Sequence, residues 1–374
     1  MFHILITFDY ELRAGGCGDV RRLMIEPTAE LLEACEKHGA KATIMLEIGE
    51  LWAFENPSNA GYKDFLGYDP GMLVRQQLVD AVRRGHDVQL QVHPQWIRAR
   101  WDSSRWNLDY AHYQLTDFDH AEMVAVLRRG KEDLENMLRP YCADYRCEGF
   151  RSGHWNTQPS HRYLAVLKDA GLSSDTSVFK WGYAANAATT FDYRPAWSNV
   201  LAWYARADDI NQPTSEPTIL EVPIATELVR SFRMLTPLRI RRSLRFLRED
   251  REISAAVHEA KGVRGYSGLL TQKLKQIFQE VPRKLDFCKL TAREMLSSIE
   301  SLINQCQNHA HCLPVPIVMI GHSKEFDRPA DLSKVVSTLA RKFAGMVQFS
   351  TYRGFLEDYA TSRESERLSR APAG

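Results

Sequence analysis

The chain has 374 residues, 44% of them apolar, enough to bury a large core in one big barrel or two smaller domains. Its 48 basic and 47 acidic residues leave a formal net charge of +1, so no overall field gathers nucleic acid. Seven cysteines, an odd number without Cys-x-x-Cys spacing, exclude a disulfide framework or thiolate zinc site as the first expectation and point to reduced thiols in the cytoplasm.

From the amino terminus, Met1-Phe-His-Ile-Leu-Ile-Thr-Phe-Asp-Tyr-Glu11 passes from an apolar run straight into acids. With no basic segment and no small-residue cleavage site, it reads as a buried first strand. No apolar run reaches the roughly 18 residues that a membrane span needs. Strand candidates near 3–9, 42–47, 87–93, 147–151, 173–177, 218–222, 316–321 and 346–350 alternate with helical patterns, which predicts parallel β/α architecture. Pro27 opens a helix that stops at Gly39 and Pro159 opens one that stops at Gly171, with further helices near 72–84, 119–138 and 330–343. The region 227–308 breaks this rhythm and reads as a helical insertion. Eight arginines between Arg230 and Arg251 alternate there with apolar residues, a pattern that suits a solvated helix face, an anionic membrane surface or a partner. Past Ser362 the composition predicts a disordered tail, 363–374, so one barrel is expected over 1–362.

Chemistry-bearing residues gather at the expected carboxyl ends of the strands, where a barrel enzyme keeps its site. Asp9 and Glu11, two apart, can face one cavity; they form either a metal ligand beside a general base or an exposed acidic turn. Strict alternation places Asp87, Gln89, Gln91 and His93 on one face and Val88, Leu90 and Val92 on the other, as in a strand dividing a wet cavity from packed helices. His93 is a candidate metal ligand or a hydrogen-bonded core histidine. Trp96, Trp101 and Trp106 follow, either packing a loop or offering faces on which sugar rings stack. Arg151 is placed to orient a carboxylate, and His322, just beyond the apolar run Pro316–Gly321, to act as general acid.

Taken in order, the acid pair, Gly85-His86-Asp87, Phe150-Arg151-Ser152-Gly153, Asp175-Thr176-Ser177-Val178 and Gly321-His322 resemble the NodB-type polysaccharide deacetylase family over roughly 1–226 and 310–360. The resemblance implies an α/β fold, a distorted (β/α) barrel, that removes an acetyl group from an N-acetylated sugar or polysaccharide precursor with a divalent metal ion such as zinc. By position it makes Asp9 the catalytic base, Glu11 a metal-binding acid, Arg151 the group that holds Asp9, His322 the donor to the leaving amine and Asp175 a support for the arginine or histidine. The family's two metal histidines, four residues apart, correspond to Gln91 and Gln95. His93 and His154 then become replacement ligands, and Trp96, Trp155 and Gln91 substrate contacts. An amide oxygen is a poor zinc ligand beside imidazole, so weaker binding or a different metal is expected. Two other readings stay open: a glycoside hydrolase pairing Asp9 with Glu221, and a sugar-binding relative without chemistry.

Overall fold

A computed structural model describes residues 1–13, 15–186, 188–234, 236, 239–240, 252–262, 279–309 and 313–370. Its wall is built from parallel strands: β1 (Phe2–Tyr10), β2 (Ala42–Glu47), β3 (Asp87–Val92), β4 (Gly149–Ser152), β5 (Ser174–Asp175), β6 (Leu220–Glu221) and β7 (Val315–His322). Their lateral order is β6-β5-β4-β3-β2-β1-β7. Past β6 the chain reaches Ile224, which bridges Val318 of β7 in parallel, and the Ala225 amide donates to the Val318 carbonyl at 3.1 Å. One narrow seam therefore closes the sheet into the expected distorted (β/α) barrel. A short β8 (Val347–Phe349) lies beside the first residues of β1, and the antiparallel pair Trp203–Arg206 and Asp209–Pro213 extends the sheet beyond β6.

Helices cover the outside: α1 (Glu26–Glu36), α2 (Ile48–Glu55), α3 (Gly61–Leu66), α4 (Pro70–Arg83), α5 (His120–Leu138), α6 (Ser160–Asp169), α7 (Ala292–Cys306), α8 (Pro329–Lys342) and α9 (Tyr352–Arg370). Proline stands in the first turn of α1, α4 and α8, where a missing N–H costs nothing. Gly39 and Gly171 follow α1 and α6 at φ of +74° and +77°, the left-handed turn their positions predict. The capping boxes Asp119–Glu122 and Thr291–Glu294 start α5 and α7. On α5, Met123, Leu127, Leu134 and Leu138 are buried, each stabilising the barrel by roughly 1.5–3 kcal/mol. None of the helices among the described residues is long and apolar enough to cross a membrane.

Register sets the site. Asp9 pairs with His322 across β1 and β7, Glu47 with Gln91 across β2 and β3, and Gln91 with Arg151 across β3 and β4. These carboxyl-terminal strand positions share one rim of the barrel.

The structure departs from expectation in three places. The region 227–308 is not wholly helical: Thr226–Arg230 pairs antiparallel with Glu280–Lys284 before α7 begins. Each strand has only five residues of mixed charge, too little pattern to signal a strand, and a buried Arg283 joins the two strands through Glu227 and ties them to Glu294 of α7. Residues 241–251 of the arginine-rich stretch lie outside the described residues. The tail expected after Ser362 continues as α9 to Arg370. On β3, the polar face is not wet throughout. Asp87 accepts from the Arg353 amide at 3.0 Å, and Gln89 accepts from the amides of Glu148 and Gly149, so both close the barrel floor beneath the cavity.

Two expectations follow. A Cβ at Gly321 would stand 2.2 Å from the Phe287 ring; Gly321→Ala should lower stability in urea by about 1–3 kcal/mol. Burial raises the Asp87 carboxyl to about 6, so its stabilising protonation is complete below the ordinary carboxylate value and is lost as pH rises through about 6. Asp87→Asn should flatten the decline of unfolding free energy between pH values of roughly 4 and 6.

Candidate active site

The rim residues meet in a cavity of about 540 Å³. Asp9 is the last residue but one of β1, and its Oδ1 accepts from Arg151 Nη1 at 2.6 Å. Arg151, with no exposed surface, also donates to Thr7 Oγ1 at 2.8 Å and to the Thr176 carbonyl at 3.1 Å. Asp9 Oδ2 is left facing His322, whose Nε2 stands 3.4 Å away and 4.0 Å from Glu11 Oε1. Glu11 is gripped from two sides, by Lys324 Nζ at 2.7 Å and His93 Nδ1 at 3.0 Å. The same His93 nitrogen lies 2.8 Å from Glu47 Oε2, which also accepts from the His93 amide.

Local sequence produces these positions. Pro94 stops β3 and starts a single 3-10 turn, Pro94–Trp96, which leaves His93 at the strand's end. Gly153 lets the segment after β4 cross over it, since a Cβ there would stand 2.6 Å from the Val92 carbonyl and 2.7 Å from the His93 ring. His154 follows at φ +56°, stacked on Tyr113 with centroids 4.1 Å apart and edge-on to His93 at 4.6 Å. Trp155 contacts His322 edge-on, and Lys284 Nζ lies 3.1 Å from the centroid of its ring. Met234, Arg239 and Ile253, from the region between 227 and 308, complete the cavity wall.

Burial and neighbouring charge divide the titrating groups. Burial pushes Asp9 above the ordinary carboxylate value although Arg151 pulls the other way. Burial also raises Glu11, but Lys324 and His93 more than reverse it. Glu47 rises to about 7 and Glu50 well above its usual range, each because of burial. His93 is pulled down by burial and raised on balance by Glu11 and Glu47, which favours imidazolium. His322 is driven well below its normal value by burial and then by Lys289 and Lys324, so it rests neutral. Lys284 falls to about 7 through burial and the repulsion of Lys289.

Of the residues singled out from the sequence, Asp9, Glu11, Gln91, His93, Trp96, His154, Trp155 and His322 line this cavity. Asp175 does not; its carboxylate accepts from Tyr163 and Ser177, and only the next carbonyl, of Thr176, supports Arg151. Glu221 is also absent from the lining; it accepts from the Val178 amide and faces Asp175 in the interior. An Asp9–Glu221 pair therefore does not flank the cleft. Trp101 and Trp106 pack with Tyr62 in an aromatic cluster rather than offering faces to the cavity. Lys324, Glu47 and Glu50 escaped notice, although Glu47 carries the same signal as Asp9, an acid closing an apolar strand.

A divalent ion has a candidate set of donors, though not the expected one. Asp9, Glu11 and His322 hold ligand atoms within 4.8 Å of one another; among the described residues Glu11, His93 and His154 do not form such a group. The triad does not fit a resident metal. Glu11 Oε1 is already bound by the Lys324 ammonium, and Asp9 Oδ1 by Arg151. A doubly charged ion roughly 4 Å from that ammonium would meet about 8 kcal/mol of repulsion at an effective dielectric of about 20. His322 Nδ1 is buried without a hydrogen-bond partner, whereas a metal-bound imidazole normally donates its other N–H.

Fold and site together define a barrel with a buried acid–base cluster at its carboxyl-terminal rim. No family model matches the chain, and no curated protein matches it. Solved structures similar to it include a polysaccharide deacetylase from Mycobacterium smegmatis, 11% identical, with a TM-score of 0.47 over 99% of this chain and 92% of the other. An allantoinase is 10% identical, with a TM-score of 0.46 over 96% and 90% of the two chains. A GH57-type branching enzyme from Pyrococcus horikoshii is 10% identical, at 0.47 over 96% of this chain and 70% of its own.

Removing one partner of the central ion pair leaves the other charge buried. Arg151→Met and Asp9→Asn should each destabilise the fold, the arginine variant by about 3–5 kcal/mol, and the double variant should cost less than their sum in urea unfolding.

Proposed function

We propose that the chain is a hydrolase that removes an acyl group from a carbohydrate, with Asp9 as the base and His322 as the carrier of the proton to the leaving atom. The observation that carries this reading is the 3.4 Å approach of Asp9 Oδ2 to His322 Nε2 at the wall of the cavity. Because Arg151 holds Oδ1, the oxygen facing His322 is the free one.

A water positioned at Asp9 attacks the acyl carbon while Oδ2 takes its proton. The carbonyl oxygen becomes an oxyanion. As the carbon–nitrogen bond breaks, the proton passes through His322 Nε2 to the leaving nitrogen, leaving acetate and a free amine. His322 rests neutral, so it would carry that proton only in passing and give it up readily to the leaving nitrogen. The proposed substrate is an N-acetylated sugar precursor met in the cytoplasm. Supporting it, the side-chain oxygens of Gln91 and Gln95 are buried without hydrogen-bond donors, so a ligand rich in hydroxyl or amide N–H groups would satisfy them. Trp96 and Trp155 add apolar wall beside those acceptors.

Acetate release from N-acetylglucosamine oligomers tests the reading. Asp9→Asn and His322→Asn should each lower kcat/KM by about 10²–10⁴. A panel of N-acetyl sugars from which wild-type protein frees no acetate would argue against it. Asp9 acts in its ionised form and its pKa is raised, so activity should fall with decreasing pH at a midpoint above the ordinary value of about 4. An acid limb at or below that value would remove Asp9 as the base.

A further inference from the structure

We infer that the ammonium of Lys324 stands in this site where a divalent ion would otherwise sit, as the fixed cation that receives the acyl oxygen. The inference deepens the acyl-hydrolase reading, but its central claim concerns which cation the site holds. Lys324 lies two residues past His322, in the 3-10 turn Ser323–Glu325 that caps β7. Its side chain is 14% exposed and borders the cavity. Nζ donates to Glu11 Oε1 at 2.7 Å and to the Leu12 carbonyl at 2.8 Å. An ammonium has three donors, so one remains for the cavity.

The surrounding residues are arranged for this cation. Glu11, the acid two residues beyond Asp9, is held by Lys324 on one oxygen and by His93 on the other. Glu325 lies close enough to add to the field that keeps the lysine charged. Leu12, whose carbonyl receives Lys324, is anchored through its amide to both oxygens of Glu50, at 2.8 and 3.1 Å. The ammonium is therefore fixed through the backbone as well as through Glu11. Nearby, Gln91 and Gln95 present amides to the cavity in place of charged or imidazole ligands.

In the reaction the remaining N–H of Lys324 would donate to the carbonyl oxygen as negative charge grows there. No proton or bond changes hands at Lys324; it supplies a preorganised charge.

The test is a calorimetric titration of metal-free full-length protein with zinc chloride, comparing wild type, Lys324→Ala, Lys324→Gln and Glu11→Gln, with circular dichroism confirming that each is folded. Wild type should show no stoichiometric site, whereas the two lysine variants, which vacate Glu11, should gain one and bind zinc at least tenfold more tightly. One zinc per wild-type chain, lost in Glu11→Gln, would overturn the inference. So would lysine variants that fold yet bind zinc no better than wild type. In parallel, acetate release by wild type should withstand 1,10-phenanthroline and fall at least 100-fold in Lys324→Ala, with partial recovery in Lys324→Arg. Failure of wild type to release acetate would count against the hydrolase reading alone, since the zinc titration needs no substrate.

Discussion

A guanidinium with no exposed surface holds the centre of the barrel. Arg151 stands on β4 yet bonds across the interior to Asp9 and Thr7 of β1, and sideways to the Thr176 carbonyl beyond β5. A buried charge is costly unless its partner and remaining donors are satisfied, and here three of its nitrogens have acceptors. The consequence is geometric. With Oδ1 committed to Arg151, Asp9 cannot turn, and Oδ2 is presented to His322 by the same parallel register that joins β1 to β7.

Outward from that pair, charge alternates through the site. Asp9 faces Arg151, Glu11 faces Lys324 and His93, and Glu47 shares the same His93 nitrogen with Glu11. Each carboxylate is thereby given a different environment. Glu11, with two cations, is held ionised, while Glu47, buried and sharing one imidazole, titrates near neutrality. Burial raises Asp9 against the pull of Arg151, and a raised pKa makes a better proton acceptor of it than an exposed carboxylate. His322 has the opposite balance: it looks toward two acids, but burial and then the lysines around it keep it neutral.

Much of the wall was legible because buried parallel strands announce themselves as short apolar runs. The runs near 42–47 and 316–321 became Ala42–Glu47 and Val315–His322, and strict alternation located β3 to within a residue. The helix Ile48–Glu55 was not foreseen; it follows β2 without a break, started by the side chain of the last strand residue, Glu47, which caps the Gly49 amide. The site was legible in its members but not in its pairings. Asp9, Arg151 and His322 could be picked out as polar residues ending apolar strands. That Glu11 belongs to Lys324 could not, because 313 residues separate them and only the pairing of the first strand with β7 brings them together. Asp175 entered the expected site only through the family resemblance, and a two-residue β5 leaves it one layer lower, bound to Tyr163.

The two glutamines and the lysine are parts of one charge balance. A metal ion would bring two positive charges and require neutral or anionic ligands around it, which amides supply weakly. A lysine brings one, already attached to the chain, and needs one carboxylate to hold it. Glu11 provides that carboxylate, and the second acid, Asp9, is balanced separately by Arg151. Both acids thus have their own cation without any ion from solution, and His93 is left to join Glu11 to Glu47. The cavity's electrostatics are set by the β1–β7 pairing, whose register carries His322, and with it Lys324, against the end of β1.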